Sequence, residues 1–194
     1  MNFSNRKELS RRNFLSHSLC IATGAATAVG LNSCDSLKTA ENKKHAGWTR
    51  FGFTTYQWGK DWDVPTLITN CTKAGVFGVE LRTSQSYAHG VELELNTRQR
   101  REVRKQFKDS PVKLVGIATS ERYDWPERAK LEAAIENTRA FVKLSRDIGG
   151  SGVRVFPNSF HDGVPREKTI EQIAKALNKA GAFAGDYGQE IRLE

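Results

Sequence analysis

Few side chains in this sequence pair reactive chemistry with a position suited to using it. Two glutamates lie at or near the ends of β-type runs: Glu80 in "GVFGVELRT" (75–83) and Glu194 in "GQEIRLE". A carboxylate at a strand end can move a proton or contact a hard cation. It can equally be a solvated surface group, and Glu80 has Arg82 two residues on as a candidate ion-pair partner. His161 in "FPNSFHDGVP" follows another β-type run, where an imidazole can exchange protons with a ligand or simply face water. The same two readings apply to His89 in "SYAHGVE". Tyr56 and Trp58 in "RFGFTTYQWG" offer rings for stacking a ligand or for packing the core. The cysteines at 20, 34 and 71 have neither metal-ligand nor redox spacing, and Cys71 falls on the apolar side of a helical stretch as an inert buried thiol.

The elements that must carry these residues alternate. β-type runs at 50–58, 75–83, 111–120 and 151–158 and a last one in "QEIRLE" are separated by helical stretches of crossover length. Asp63-Val64-Pro65 opens the first helix, with Leu67, Ile68 and Cys71 as its stripe. Asn96 or Thr97 caps the second, which runs to about Lys108. Asp124-Trp125-Pro126 starts a third, with Leu131, Ala134, Ile135, Thr138, Phe141, Val142 and Ile148 inward, stopping at Gly149-Gly150. Pro165 begins a fourth, with Ile170, Ile173, Ala174, Leu177 and Ala184 on one face. Serial units of this kind predict an α/β fold with a parallel, helix-covered sheet, either open and doubly wound or a (β/α)8 barrel. No GxGxxG fingerprint follows the first run, so a dinucleotide site has no support. The 147 residues from Trp48 suffice for five strands and four helices, whereas a closed barrel takes about 250 residues. The expectation is the N-terminal part of a TIM barrel, with exposed strand edges that favour aggregation.

Charge narrows the partners. The net charge is +8, but residues 1–34 hold four Lys/Arg and one Asp/Glu; taking these from totals of 30 and 22 leaves 26 basic against 21 acidic. That excess is too small and too dispersed to argue for nucleic acid. The basic run "TRQRREVRKQFKD" places Val103 and Phe107 inward, so its charges read as the solvated outer face of a helix.

The strings "FGFTTYQWG", "GVFGVELRT", "VKLVGIATS", "GGSGVRVFPN" and "GQEIRLE" resemble the first five strands of the sugar phosphate isomerase/epimerase superfamily, the xylose isomerase-like TIM barrels, over Phe51 to Glu194. The resemblance implies a divalent cation, Mn, Mg or Zn, at the C-terminal mouth of the barrel, with Glu194 matching the first ligand and the others beyond this sequence. It implies a carbohydrate substrate, isomerised or epimerised by carboxylate proton transfer through a metal-stabilised enediolate. Glu80 and His161 are then the catalytic candidates. Because relatives include AP endonucleases, a metal-dependent hydrolase is one alternative, and a non-catalytic sugar-binding lipoprotein is another.

The N-terminus reads as an address. Ser10-Arg11-Arg12-Asn13-Phe14-Leu15 resembles the twin-arginine export signal and precedes a soft apolar stretch from Phe14 to Leu31. Leu31-Asn32-Ser33-Cys34 resembles a lipobox, in which Cys34 is lipidated; ordinary cleavage near Ala26-Thr27-Ala28 is the alternative. These features predict a signal peptide at 1–34, a flexible linker at 35–47 and the barrel portion at 48–194, exported folded by the twin-arginine machinery to the periplasm or a membrane anchor.

Overall fold

The computed structural model describes residues 50–156 and 159–194. The leader, the linker and Cys34 lie outside the described residues. Nine elements alternate: β1 (Gly52–Thr54), α1 (Val64–Ala74), β2 (Gly78–Arg82), α2 (Thr97–Lys108), β3 (Lys113–Arg122), α3 (Arg128–Ile148), β4 (Gly152–Phe156), α4 (Arg166–Asp186) and β5 (Glu190–Leu193). The strands form one sheet in the order β1-β2-β3-β4-β5, and every neighbouring pair is parallel. Each strand therefore pairs with its sequence neighbours across a helical crossover, which is the progression of a partial (β/α)8 barrel.

Local chemistry sets the helix ends. The Asp63 carboxylate accepts from the Thr66 N–H at 2.9 Å, Pro65 lies in the first turn, and Gly75 closes α1 in the left-handed region at φ 68°. Asn96 and Gln99 make a reciprocal capping box on α2. Several expectations change, the second run among them, which starts at Gly78 and not at 75 because Gly75 closes α1. The first strand is shorter than 50–58 because the Tyr56 N–H turns back onto the Thr54 carbonyl at 2.7 Å. α3 begins at Arg128 and not at Asp124, since the Asp124 carboxylate is bound elsewhere and Glu127 takes the cap position. The buried stripe of α4 is Thr169, Ala176, Ala180 and Ala184, while Ile170 is 57% exposed. The small side chains, which let a helix approach its neighbours closely, face inward, and the larger Ile173 and Leu177 stand half-buried at the flank.

The core lies between the sheet and the helices. Strand alternation sends Val79, Leu81, Ile117, Val153 and Val155 to this side, each fully buried, against Leu67, Cys71, Phe107, Phe141, Val142, Leu144 and Ile148. Burial pushes the Cys71 thiol pKa up, which suits the inert role expected of it. On α2 only Val103 and Phe107 are buried, so Arg98, Arg101, Arg104, Lys105 and Lys108 form the solvated outer face expected of that run.

The opposite side of the sheet is built differently. Gly116 and Gly152 pack so closely that a Cβ on Gly116 would stand 2.3 Å from the Gly152 carbonyl oxygen. Arg192 spreads over this floor, donating to the Val115 carbonyl at 3.1 Å and the Ser151 hydroxyl at 2.9 Å.

Candidate functional site

Above that floor, towards the C-terminal ends of the strands, even-numbered residues bring charge together. Arg154 on β4 is the centre. Its Nε lies 2.9 Å from Glu80 Oε2, and its Nη1 ion-pairs with Glu194. Thr54 at the end of β1 donates its hydroxyl to Glu80 Oε2 at 2.8 Å, and Arg154 Nη2 stands 3.5 Å from that hydroxyl. One guanidinium thus joins a carboxylate from β2 and one just past β5. The Glu80 and Arg154 side chains keep only 13% and 17% exposure, whereas Glu194 at the rim keeps 47%. In such partial burial a pair of charges interacts more strongly than it would in water.

Arg82 does not pair with Glu80, contrary to one of the two sequence readings. It lies beside Ala118 in the β2–β3 register, and its guanidinium donates to the carbonyls of Ala118 and Thr119 and, at 2.7 Å, to the Ser120 hydroxyl. Tyr56 and Phe156 flank it, with ring centroids 5.7 and 5.3 Å from its central carbon. Tyr56 therefore stands at the mouth. Trp58 lines a cleft of about 300 Å³ with Phe53, Trp62 and Cys71, between β1 and α1, and so makes no wall with the mouth carboxylates.

The two histidines separate clearly. His89 is buried, its Nδ1 accepts from the Val91 N–H at 3.0 Å, and its Nε2 donates to the Arg82 carbonyl at 2.9 Å. Burial lowers its pKa, partly offset by the bond to Arg82, so it is a neutral brace under β2 with no nitrogen left for a ligand. His161 lies 2.8 Å from Asp124 Oδ2 and remains 27% exposed. Among the described residues no hydrogen bond or ion pair joins His161 to the Glu80–Arg154–Glu194 cluster, so the two catalytic candidates occupy separate assemblies.

Sequence reasoning missed Arg154, Thr54 and Asp124. Arg154 carried a usable signal, a lone charge inside the apolar run Gly152-Val153-Arg154-Val155-Phe156. Such a charge must point away from the helices and needs a partner. Asp124 carried none, because its position before Trp125-Pro126 also suits a helix cap.

A divalent cation fits these residues only in part. Glu194 offers a hard oxygen at the rim, yet its carboxylate is engaged by Arg154. Among the described residues there is no group of three or more His, Cys, Asp or Glu side chains placed to hold a metal ion.

Comparison with known proteins agrees with the architecture. No curated protein matches the chain by sequence. The IolI protein with a bound zinc atom superposes with a TM-score of 0.63 at 14% identity, over 75% of this chain and 51% of that one. D-psicose 3-epimerase from Clostridium cellulolyticum H10, solved with D-tagatose, gives 0.61 at 12% identity over 74% and 51%. The 3-keto-D-glucoside 4-epimerase YcjR from E. coli gives 0.59 at 10% identity over 74% and 55%. The chain spans about half the length of these structures. At such identities the likeness is one of fold. A family model, the xylose isomerase-like TIM barrel, matches residues 68–194, and with the parallel β/α progression this establishes that the chain belongs to that family.

Proposed function

We propose that this chain forms part of a sugar isomerase or epimerase that moves a proton beside a carbonyl. The observation that carries this reading is the convergence of Glu80 and Glu194 on Arg154 near the strand C-termini, where barrel enzymes keep their chemistry. The sugar epimerases among the structures of like fold support it at the level of the family.

In this reading Glu80 is the base. The C–H bond beside the substrate carbonyl breaks, its electron pair passes into an enediolate, and the proton goes to a Glu80 carboxylate oxygen. Return of the proton from Glu80 to the neighbouring carbon on the same face completes an isomerisation, whereas an epimerisation takes its proton from a second acid on the opposite face. Thr54 and Arg154 hold the carboxylate in one orientation, and Arg154 offers positive charge to the developing oxyanion. Glu194 is assigned as one contact to a divalent cation, which when bound would stabilise the enediolate oxygens. The described residues do not by themselves supply a full ligand set for that cation.

The test is deuterium wash-in at the carbon beside the carbonyl of D-fructose, D-tagatose and L-ribulose, followed by NMR in D2O with and without Mn2+. Exchange is expected in the wild type, with a loss of about 10²–10⁴-fold in Glu80→Gln. Saturable ketose binding without exchange would instead favour a sugar-binding protein.

The proposal extends to cellular address. The twin-arginine leader exports the folded chain, and Cys34 anchors it as a lipoprotein. Cys34→Ala should release the protein from the membrane fraction, and unchanged retention would count against the anchor.

A further inference from the structure

Apart from the Glu80–Arg154–Glu194 cluster, the same end of the sheet carries a second polar assembly. Asp124, just beyond β3, has a fully buried carboxylate. Arg122 donates to it twice, from Nε to Oδ1 at 3.0 Å and from Nη2 to Oδ2 at 2.5 Å. The Ser159 N–H approaches Oδ2 at 3.3 Å, and His161 Nε2 lies 2.8 Å from the same oxygen. Burial alone would raise the pKa of the carboxyl, but the bonds from Arg122 and His161 outweigh it and hold it below the usual range. The group is therefore a carboxylate, which can only accept.

That settles the ring. Nε2 must carry the hydrogen, so Nδ1 of the neutral imidazole is a bare lone pair, and among the described residues it has no partner. The ring is steadied by Trp125, whose centroid lies 6.3 Å away. Trp125 is itself held by Arg122 at 4.6 Å and Lys130 at 5.0 Å, with Glu127 paired to Lys130 at 2.9 Å. The contrast with His89 is informative, because there both nitrogens are consumed by backbone groups.

We infer that Asp124, fixed by Arg122, is a positioning residue that turns His161 into a second proton-transfer group at the barrel mouth, acting on a hydroxyl of a polyhydroxylated substrate. The substrate class rests on the reading given under Proposed function. In the step, the substrate O–H bond breaks with its electron pair remaining on oxygen, and a new N–H bond forms at Nδ1. The imidazolium so formed is offset by the Asp124 carboxylate, and the proton returns to the product by the reverse path. Without Asp124 the ring would sample both tautomers, and only part of the population would present Nδ1 as an acceptor.

The experiment is 15N NMR of the histidine rings in the labelled chain. Wild-type His161, in its neutral form, should show the signature of a protonated Nε2 and bare Nδ1, and Asp124→Asn should lose that single-tautomer signature. A wild-type ring that averages both tautomers or protonates Nδ1 overturns the inference, as does a signature unchanged in Asp124→Asn. The wild-type measurement decides even where the variant does not fold. D-sorbitol, a polyol without a carbonyl, is the binding probe. It should shift the Nδ1 resonance saturably, and a resonance it leaves unmoved overturns the assignment to a hydroxyl. Neither readout involves a carbonyl, so failure of the isomerase reading leaves both standing. An averaged tautomer in a chain that still exchanges ketose protons sinks this inference alone.

Discussion

The two sides of this sheet are made by the same five strands and have almost nothing chemically in common. Towards the helices stand Val79, Leu81, Ile117, Val153 and Val155, all fully buried. On the other side stand Glu80, Arg82, Arg154 and Arg192 above a floor that includes Gly116 and Gly152. The period of two along a strand allows this division within a few residues, since each successive side chain changes side. Burial of apolar area on the first side is what stabilises the fold, and that leaves the second side free to carry charges that cost stability. The division fails at Glu121, which brings a titratable group to the helix side beside Asn137 of α3.

Substitutions can break this contrast, beginning with the largest effect. Leu81→Ala removes a fully buried side chain from the helix-facing layer and should lower unfolding free energy by about 2–5 kcal/mol, read from urea midpoints. A smaller loss would mean that the layer collapses to fill the gap. Gly116→Ala places a methyl against the Gly152 carbonyl and the Arg192 guanidinium. Overpacking there should cost about 1–3 kcal/mol, although the site lies on the charged side. An unchanged midpoint would show that β3 and β4 can separate at no cost.

The smallest effect concerns pH. Burial raises the Glu121 pKa from 4.5 to about 7, with the Asn137 bond opposing it. A folded-state pKa above the unfolded value means that the folded chain binds this proton more tightly. The contribution is complete below the unfolded pKa and is lost as pH rises through about 7. His89 has the opposite sign: its folded pKa is depressed, so its contribution is lost as pH falls. Glu121→Gln should therefore flatten the decline in stability from acid to neutral pH, with the His89 limb intact. A difference between wild type and variant that is constant across that range would remove Glu121 from the titrating groups.

Much of the fold was legible because it is written in local patterns. Asp63, Asn96 and Gly149 act on neighbours within a turn, so their types alone announce helix ends. The stripe of α3 follows from helical spacing, and the strand order follows from crossovers of similar length. The α4 stripe was misread because hydrophobicity was used to rank positions whose burial depends on how near a neighbour can come; Ala176 and Ala180 are inside because they are small.

The sites divide along the same line. Sequence alone determined which residues had the chemistry: the carboxylates of Glu80, within β2, and Glu194, just past β5, and an imidazole in the loop before α4. Tertiary structure alone decided their company. Glu80 meets Arg154 across 74 positions of chain, as shown by the numbers of the two residues themselves, and passes over Arg82 two residues away. His161 joins Asp124, which local sequence assigns to a helix cap. The reason is physical: a helix cap or an amphipathic stripe is decided within a few residues, whereas charge pairing across a curved sheet depends on register, on strand spacing and on which glycines let neighbouring strands close up.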